Sequence, residues 1–112
     1  MPADCLFCRI VAGDIPADVV RTDEHTIAFR DISPQAPTHV LVIPRVHLTD
    51  IVELAGDPAE SAAFLEAIKA TAAELGLESF RTVFNTGADA HQTVFHVHAH
   101  LLGGRSMGWP PG

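Results

Sequence analysis

The amino-acid sequence predicts an α+β domain with a mainly antiparallel sheet. Two observations support this class: five short segments carry strand patterns, and one long helical pattern separates the first three from the last two. In a doubly wound parallel fold, strands and helices would instead alternate along the chain. The length of 112 residues is that of one domain, so we expect a single domain over residues 1–112.

The composition is that of a folded protein with no basic surface. Hydrophobic residues make up 47% of the chain, and the net charge is −7. An acidic chain is a poor non-specific binder of nucleic acid. No apolar run approaches the roughly 20 residues that a membrane span needs, and "MPADCLFCRI" lacks the apolar region of a signal peptide. We therefore expect a cytoplasmic protein with neither nucleic acid nor membrane as a partner.

The first half of the chain contains a short helix and three strands. Asp4 is placed to cap a helix over residues 5–12. Residues 17–23 and 25–31 have the pattern of two strands joined by a turn. The β-branched apolar run "HVLVIP", residues 39–44, is typical of a buried strand.

The clearest helix is predicted over residues 58–75. Asp57 is a good N-cap, Pro58 suits the first helical position, and Glu60 adds a pattern like a capping box. Gly76 is the expected residue just after the end. The apolar residues at helical spacing form one stripe: Phe64, Leu65, Ile68, Ala72 and Leu75. Residues 80–85 and 93–104 then have the patterns of a fourth and a fifth strand.

The fifth strand contains "HVHAH", with histidines on alternate positions. In a strand, His96, His98 and His100 share one face at a spacing of about 7 Å, close enough to share one ligand. The residues alone leave three interpretations open. The row is a solvent-facing surface, a metal site built on His-x-His, or a nucleophilic catalyst that attacks phosphorus. In the last case the flanking imidazoles donate to phosphate oxygens.

The residues "HVHAHLL" fit the pattern of the histidine triad, His-φ-His-φ-His-φ-φ with φ apolar. The match continues through "FRDISPQAPTHVLVIPRVH", "VFNTGADAHQTVFHVHAHLLGGRSMGWPPG" and "CRIVAGDIPADVV". These motifs are long, ordered and spread over nearly the whole chain. The chain therefore resembles the Hint-like branch of the histidine triad (HIT) superfamily.

This resemblance implies both a fold and an activity. The fold is a five-stranded antiparallel sheet with one long and one or more short helices, and two subunits pair into a ten-stranded sheet in a homodimer. The activity is that of a purine nucleotide phosphoramidase, which hydrolyses the P–N bond of AMP joined to an amine or to lysine and uses no organic cofactor. Two alternatives remain: a dinucleoside polyphosphate hydrolase of the same superfamily, and a nucleotide-binding sensor or scaffold with incidental catalysis.

The resemblance also assigns catalytic roles. His98 matches the nucleophile, which carries AMP as a nucleotidyl-histidine. His100 matches a phosphate contact, and His39 matches a supporting histidine beside the triad. Relatives that transfer nucleotides to sugar phosphates resemble this layout but carry glutamine at the third triad position. A histidine at position 100 therefore favours hydrolysis.

The nucleotide contacts follow from the same matches. Asp31 matches the carboxylate that holds the ribose hydroxyls, and Ile32 matches a residue beside the base. Asn85, Gln92 and Thr93 match residues of a phosphate-binding loop.

Two further positions in the matched segments stand apart. His91 departs from the pattern, because many relatives have glycine there, which permits a positive φ. The C-terminal "WPPG" resembles the Hint-like branch, where Trp109 would reach towards the partner's site and help to shape specificity, although a loose tail is an equal alternative.

The Cys-x-x-Cys of "CLFC" has two possible explanations. Two cysteines at helical spacing can be core residues, and in a reduced compartment they are free or bound to a metal. In the resemblance, Cys5, Cys8, His47 and His96 match a four-ligand zinc site. We therefore expect a structural zinc ion that pins the N-terminal helix to the sheet.

Overall fold

The computed structural model describes residues 4–112 and shows one five-stranded antiparallel sheet with helices on both faces. The strands are β1 Val19–Thr22, β2 Thr26–Arg30, β3 Thr38–Pro44, β4 Phe80–Val83 and β5 Ala99–Gly103. Their spatial order is β1-β2-β3-β5-β4, and every neighbouring pair is antiparallel. The α+β class and the five-stranded antiparallel sheet predicted from the sequence are therefore confirmed.

The helices of the described chain lie before the sheet and between β3 and β4. They are α1 Leu6–Val11, α2 Ile51–Ala55 and α3 Pro58–Glu74, and one 3-10 turn covers Ala88–Ala90. None of the helices within residues 4–112 has the length and apolar character that crossing a bilayer requires. The short helix α2 has no counterpart of its own among the predicted elements.

The central strand β3 is buried on both faces, which explains its uninterrupted apolar sequence. Val40 and Val42 face α3 and belong to the larger core cluster. Leu41 and Ile43 point to the opposite face, where they pack in a second cluster with Phe7 of α1. The helix α1 therefore lies on the face of the sheet that α3 leaves free.

The start of α3 follows its predicted cap, but two details of the prediction are wrong. The Asp57 side chain accepts the backbone N–H of Glu60, as expected of an N-cap. The Glu60 carboxylate does not close a capping box: its Oε1 lies 3.4 Å from Nδ1 of His25, and the backbone N–H of Asp57 donates to Leu54. Leu65 is 64% exposed and does not belong to the buried stripe.

The cap of α1 also differs from the prediction. Cys5, rather than Asp4, is the N-cap, and its sulfur accepts the backbone N–H of Cys8 at 3.4 Å. The sulfur of Cys5 thus accepts the backbone N–H at position N3, which is the group that an N-cap side chain ordinarily accepts.

The predicted strand over residues 93–104 is too long, because β5 begins only at Ala99. The last pair between β3 and β5 is Val42 with Ala99, and the backbone N–H of Val97 instead donates to the carbonyl of Leu48 at 2.7 Å. The alternation of faces nevertheless continues through Val97, which is buried in the larger core cluster. His96 and His98 therefore lie in an extended segment that leads into the sheet.

Candidate active site and metal cluster

The three alternating histidines are not a solvent-facing row. His96 is 0% exposed, His98 is 8% exposed, and His100 is partly buried. They also do not share one ligand: His96 lies among the cysteines, whereas His98 and His100 line a groove on the α1 side of the sheet. The ring of Phe7 stands between the two sites, with its centroid 5.9 Å from that of His96 and 5.0 Å from that of His98.

The ring of His98 has one nitrogen bound to the backbone and one left free. Nδ1 lies 2.9 Å from the carbonyl oxygen of His96, so Nδ1 carries the proton that is donated. Burial lowers the pKa of His98, although the bond to this carbonyl and the charge of Asp31 oppose the shift. The ring is therefore neutral near pH 7, with an unshared electron pair on Nε2.

His39 and His100 form a chain of hydrogen bonds that begins at the backbone. The N–H of Gln35 donates to Nδ1 of His39 at 3.0 Å, so the neutral His39 ring carries its proton on Nε2. That Nε2 lies 2.9 Å from Nδ1 of His100 and donates to it. His100 then carries its own proton on Nε2, as a donor towards the groove that it lines.

The rings of His39 and His100 are both held neutral. Burial lowers the pKa of His39, with Asp31 opposing. Burial, helped by the nearby rings of His98 and His39, lowers the pKa of His100 to about 4. The proton positions deduced above are therefore those of the protein near neutral pH.

Asp31 lies between the hydrogen-bonded histidines and the open groove. Its Oδ2 lies 3.5 Å from Nε2 of His39, and its Oδ1 accepts the backbone N–H of Ser33 at 2.8 Å. The next residue, Ile32, is fully exposed at the rim of the groove. A carboxylate and an apolar side chain thus stand side by side at its entrance.

The groove has a volume of about 620 Å³, which is enough for a nucleotide-sized ligand. Its walls include Phe7 and Ile10 of α1, with Phe29 and Leu41 from the sheet. Its polar side chains include Asp31, His98, His100 and Thr93, and Asp18 and Arg30 also belong to its lining. The groove therefore offers apolar walls together with hydrogen-bonding groups, as small-molecule sites do.

Of the residues predicted in the phosphate loop, some stabilise the loop itself and one lines the groove. Gln92 is buried: it accepts the N–H of Gly87 and donates to the carbonyls of Thr49 and Val94. Asn85 donates to the carbonyl of Ala90 at 2.8 Å, within the same loop. Of the three predicted residues, only Thr93 lines the groove, so Gln92 and Asn85 act on the loop itself.

His91 adopts the left-handed conformation that its position in the sequence suggests. Its φ is 67° and its ψ is 33°, and it ends the 3-10 turn. A residue other than glycine is strained there. Its side chain is exposed, and Trp109 is also largely exposed, near the C-terminus.

The four predicted metal ligands lie together beside α1. The ligand atoms of Cys5, Cys8, His47 and His96 all lie within 4.8 Å of one another. Nδ1 of His96 is 3.5 Å from each sulfur, and Nδ1 of His47 is 3.3 Å from the sulfur of Cys8. In a tetrahedral zinc site the sulfur and nitrogen ligands stand about 3.5 Å apart, so this cluster fits zinc.

The protonation of the cluster also suits a metal. Nε2 of His96 donates to the carbonyl of Pro44 at 2.9 Å, which leaves Nδ1 free to bind. Burial lowers the pKa of His96 to about 4, so the ring is neutral. Burial and the neighbouring Cys5 raise the pKa of the Cys8 thiol to about 11, and a bound metal would displace that proton.

Comparison with known proteins identifies the family. The family model of the HIT domain matches residues 12–107. The chain belongs to the HIT domain family. The superfamily membership predicted from the sequence is thereby confirmed.

Similar proteins match this HIT domain over nearly its whole length. An uncharacterized HIT-like protein of Synechococcus elongatus is 48% identical, with all of both chains covered. A 14 kDa zinc-binding protein of Zea mays is 46% identical, over 96% of this chain and 87% of that protein. The crystal structure of a HIT family hydrolase from Legionella pneumophila has a TM-score of 0.92 and 48% identity, and covers 97% of this chain and all of that one.

Several contacts of this HIT domain escape sequence reasoning. The N–H of Gln35 and the carbonyls of Pro44 and His96 set the proton positions of three histidines, yet main-chain groups have no side-chain signal. Phe7, which touches His98 edge-on, was also missed. Its place between the two cysteines was the available signal, since a metal there would fix its position.

Proposed function

We propose that this HIT domain is a Hint-like hydrolase that cleaves purine nucleotide phosphoramidates through a nucleotidyl-histidine on His98. One observation carries the proposal: the Nδ1 proton of His98 is bound to a backbone carbonyl, and the ring lines a groove beside His100. A neutral imidazole held in this way is a nucleophile, and a neighbouring N–H donor stabilises charge on phosphate oxygens. The relative from Legionella pneumophila that is described as a hydrolase supports the same reaction class.

The groove suits each part of a purine nucleotide. The apolar walls at Phe29 and Ile32 offer a surface for a flat base. The Asp31 carboxylate accepts hydrogen bonds from the paired ribose hydroxyls. The Nε2–H of His100 and the hydroxyl of Thr93 donate to the phosphate.

The reaction has two steps on the same histidine. Nε2 of His98 attacks the α-phosphorus, the bond to the amine breaks, and the amine nitrogen keeps the electron pair and takes up a proton from solvent. Water then attacks the phosphorus, gives up a proton to solvent and displaces His98, which releases AMP and restores the neutral ring. His100 donates to the phosphate oxygens in both steps, and His39 holds the tautomer of His100.

We further propose that Cys5, Cys8, His47 and His96 bind a structural zinc ion. Zinc held by four protein ligands stabilises the fold and has no open position at which to activate water. The description of the Zea mays relative as a zinc-binding protein supports this assignment. The residues of the cluster fasten α1, and with it the groove wall at Phe7, to the segment that carries His98.

The resemblance also implies a homodimer, which we include in the proposal. The strand β4 is at one edge of the described sheet, and its outer backbone groups are open to pairing. Light scattering of the purified protein should give twice the mass of one chain. A monomer at all concentrations would exclude the ten-stranded sheet.

The decisive experiment compares wild type with His98→Ala on a lysine-linked AMP phosphoramidate. We expect AMP release by wild type, and a loss of about a thousandfold or more in His98→Ala, which should still bind AMP. His25→Ala is the matched control, because His25 is exposed and does not line the groove.

Two other results would reject the proposal. Turnover of diadenosine polyphosphates by wild type, without turnover of the phosphoramidate, would instead indicate a dinucleoside polyphosphate hydrolase. AMP binding without release from either substrate would indicate a nucleotide sensor.

A further inference from the structure

We propose that Arg105 is a positioning residue for hydrolysis, acting through the segment of residues 33–37, which we call the proline loop. Arg105 holds this loop so that the Gln35 N–H fixes the tautomer of His39 and, through it, that of His100. The catalytic consequence rests on the proposed function, whereas the effect on the tautomers does not.

The first contact is a hydrogen bond from Arg105 to the proline loop. Nη2 of Arg105 donates to the carbonyl oxygen of Gln35 at 3.1 Å. The N–H of the same residue donates to Nδ1 of His39 at 3.0 Å. The carbonyl of Gln35 thus accepts from Arg105, and the backbone N–H of Gln35 donates to His39. A displacement of the Gln35 carbonyl therefore also displaces its N–H.

The second contact is the close approach of Gly104 to the same loop. Gly104 has a φ of +89°, and a Cβ added there would lie 2.9 Å from Cβ of Pro37. The turn after β5 is therefore seated directly on the proline loop. Thr38 of β3 is paired with Gly103 of β5, and this pairing places the proline loop next to the turn after β5.

The chain of hydrogen bonds then reaches the groove. With the Gln35 N–H in place, His39 carries its proton on Nε2, and Nδ1 of His100 must accept it. If that N–H moves away, the proton of His39 is free to occupy Nδ1, and Nε2 becomes an acceptor. His100 then donates from Nδ1, and its Nε2 has no proton for a phosphate oxygen.

No carboxylate competes with the Gln35 carbonyl for the Arg105 guanidinium in the described part of the chain. Among residues 4–112 it forms no ion pair, and its other hydrogen bond goes to the carbonyl of the adjacent Ser106. Arg81 makes a comparable bond, at 2.7 Å, to the carbonyl of Gly108 in the same C-terminal segment. It forms no hydrogen bond with the proline loop among residues 4–112, so Arg81 is a matched control.

The test compares Arg105→Met, Arg105→Lys and Arg81→Met. Methionine keeps an apolar stem and removes the donors, whereas lysine keeps a cationic donor. Long-range nitrogen–proton NMR spectra report which ring nitrogen of His39 and His100 carries the proton. Steady-state kinetics on the lysine-linked AMP phosphoramidate report kcat and KM separately.

We expect Arg105→Met to shift proton population on His39 towards Nδ1. We also expect it to lower kcat by about threefold to tenfold with little change in KM, because an exposed hydrogen bond is lost. Arg105→Lys should restore most of both, and Arg81→Met should change neither. Unchanged tautomers in Arg105→Met, or an equal loss of kcat in Arg81→Met, would overturn the inference.

Two further outcomes are distinguishable. If wild type releases no AMP but Arg105→Met still shifts the tautomers, the proposed function fails and the positioning role of Arg105 stands. If Arg105→Met does not fold, Gly104→Ala decides, since it forces the turn away from Pro37 while Arg105 remains. The same tautomer shift is expected there, and its absence would overturn the inference.

Discussion

The ring of Phe7 meets the ring of His98 edge-on, with the centroids 5.0 Å apart. Phe7 also stands edge-on to His96 at 5.9 Å and lies between Cys5 and Cys8 in the sequence. The cysteine–histidine cluster and the groove therefore share one side chain. Whatever orders the start of α1 also orders the groove wall beside His98.

Loss of one thiol should test the link between metal and stability. We expect Cys5→Ser to lose zinc, to melt lower by more than about 5 °C, and to keep residual activity, because the proposed zinc site is structural. Metal analysis and thermal denaturation measure the first two. Arg9→Ala is the control, since Arg9 is exposed on α1. Metal loss in Cys5→Ser with an unchanged melting temperature would contradict the structural role.

The metal-free protein should become less stable as the pH falls from about 6.5 to about 4. Burial lowers the pKa of both His96 and His100 from 6.5 to about 4. In that window the unfolded chain binds more protons than the native protein. The free energy of unfolding therefore decreases as the pH decreases. Urea titrations at several pH values measure it. His100→Gln should reduce the slope, and an unchanged slope would show that His100 does not contribute.

Zinc affinity should rise with pH, because the Cys8 thiol must lose a proton to bind. Burial raises the pKa of this thiol to about 11, so it is protonated in the metal-free protein at neutral pH. Calorimetry in buffers of different ionisation enthalpy measures the protons released when zinc binds. Binding without proton release would mean that Cys8 is not a ligand.

Asp31→Asn should weaken ribonucleotide binding without loosening the loop. Asparagine keeps an acceptor for the Ser33 N–H but loses the charge that attracts ribose hydroxyls. We expect KM to rise about tenfold or more for a ribonucleotide, and far less for a 2′,3′-dideoxy analogue. Asp18→Asn is the control, because Asp18 also lines the groove. An equal rise for both substrates would exclude ribose recognition by Asp31.

His91 tests the strain of the left-handed conformation. Glycine at this position should give a protein about 1 kcal/mol more stable than alanine does, because alanine is strained at a φ of 67°. Denaturant unfolding of His91→Gly and His91→Ala measures the difference directly. Equal stabilities would mean that the loop relaxes when the side chain changes.

Local chemistry made some elements predictable. The bounds of α3 were predicted to within one residue, because Asp57 and Pro58 act on the turn beside them. The beginning of β5 was predicted wrongly, because it depends on where β3 stops offering partners. Leu65 was misassigned to the buried stripe, since spacing alone does not show how wide the contact of α3 with the sheet is.

The site was predictable in its side chains and not in its backbone. Resemblance of the motifs named His39, Asp31 and the metal ligands. The structure places Asp31 in the groove with His39 beside it, and brings the four metal ligands into one cluster. Simple alternation put the three triad histidines on one face, but it did not show that His96 lies among the cysteines while His98 and His100 line the groove. The contact between Arg105 and Gln35 joins residues 70 positions apart, and no local pattern connects them.

Proton placement on three histidines depends on main-chain atoms at positions 35, 44 and 96. A designer who grafted only the imidazoles onto another sheet would therefore obtain rings with undetermined tautomers. The portable unit is the imidazoles together with the peptide groups that orient them. Any redesign of this site has to specify backbone coordinates before it specifies side chains.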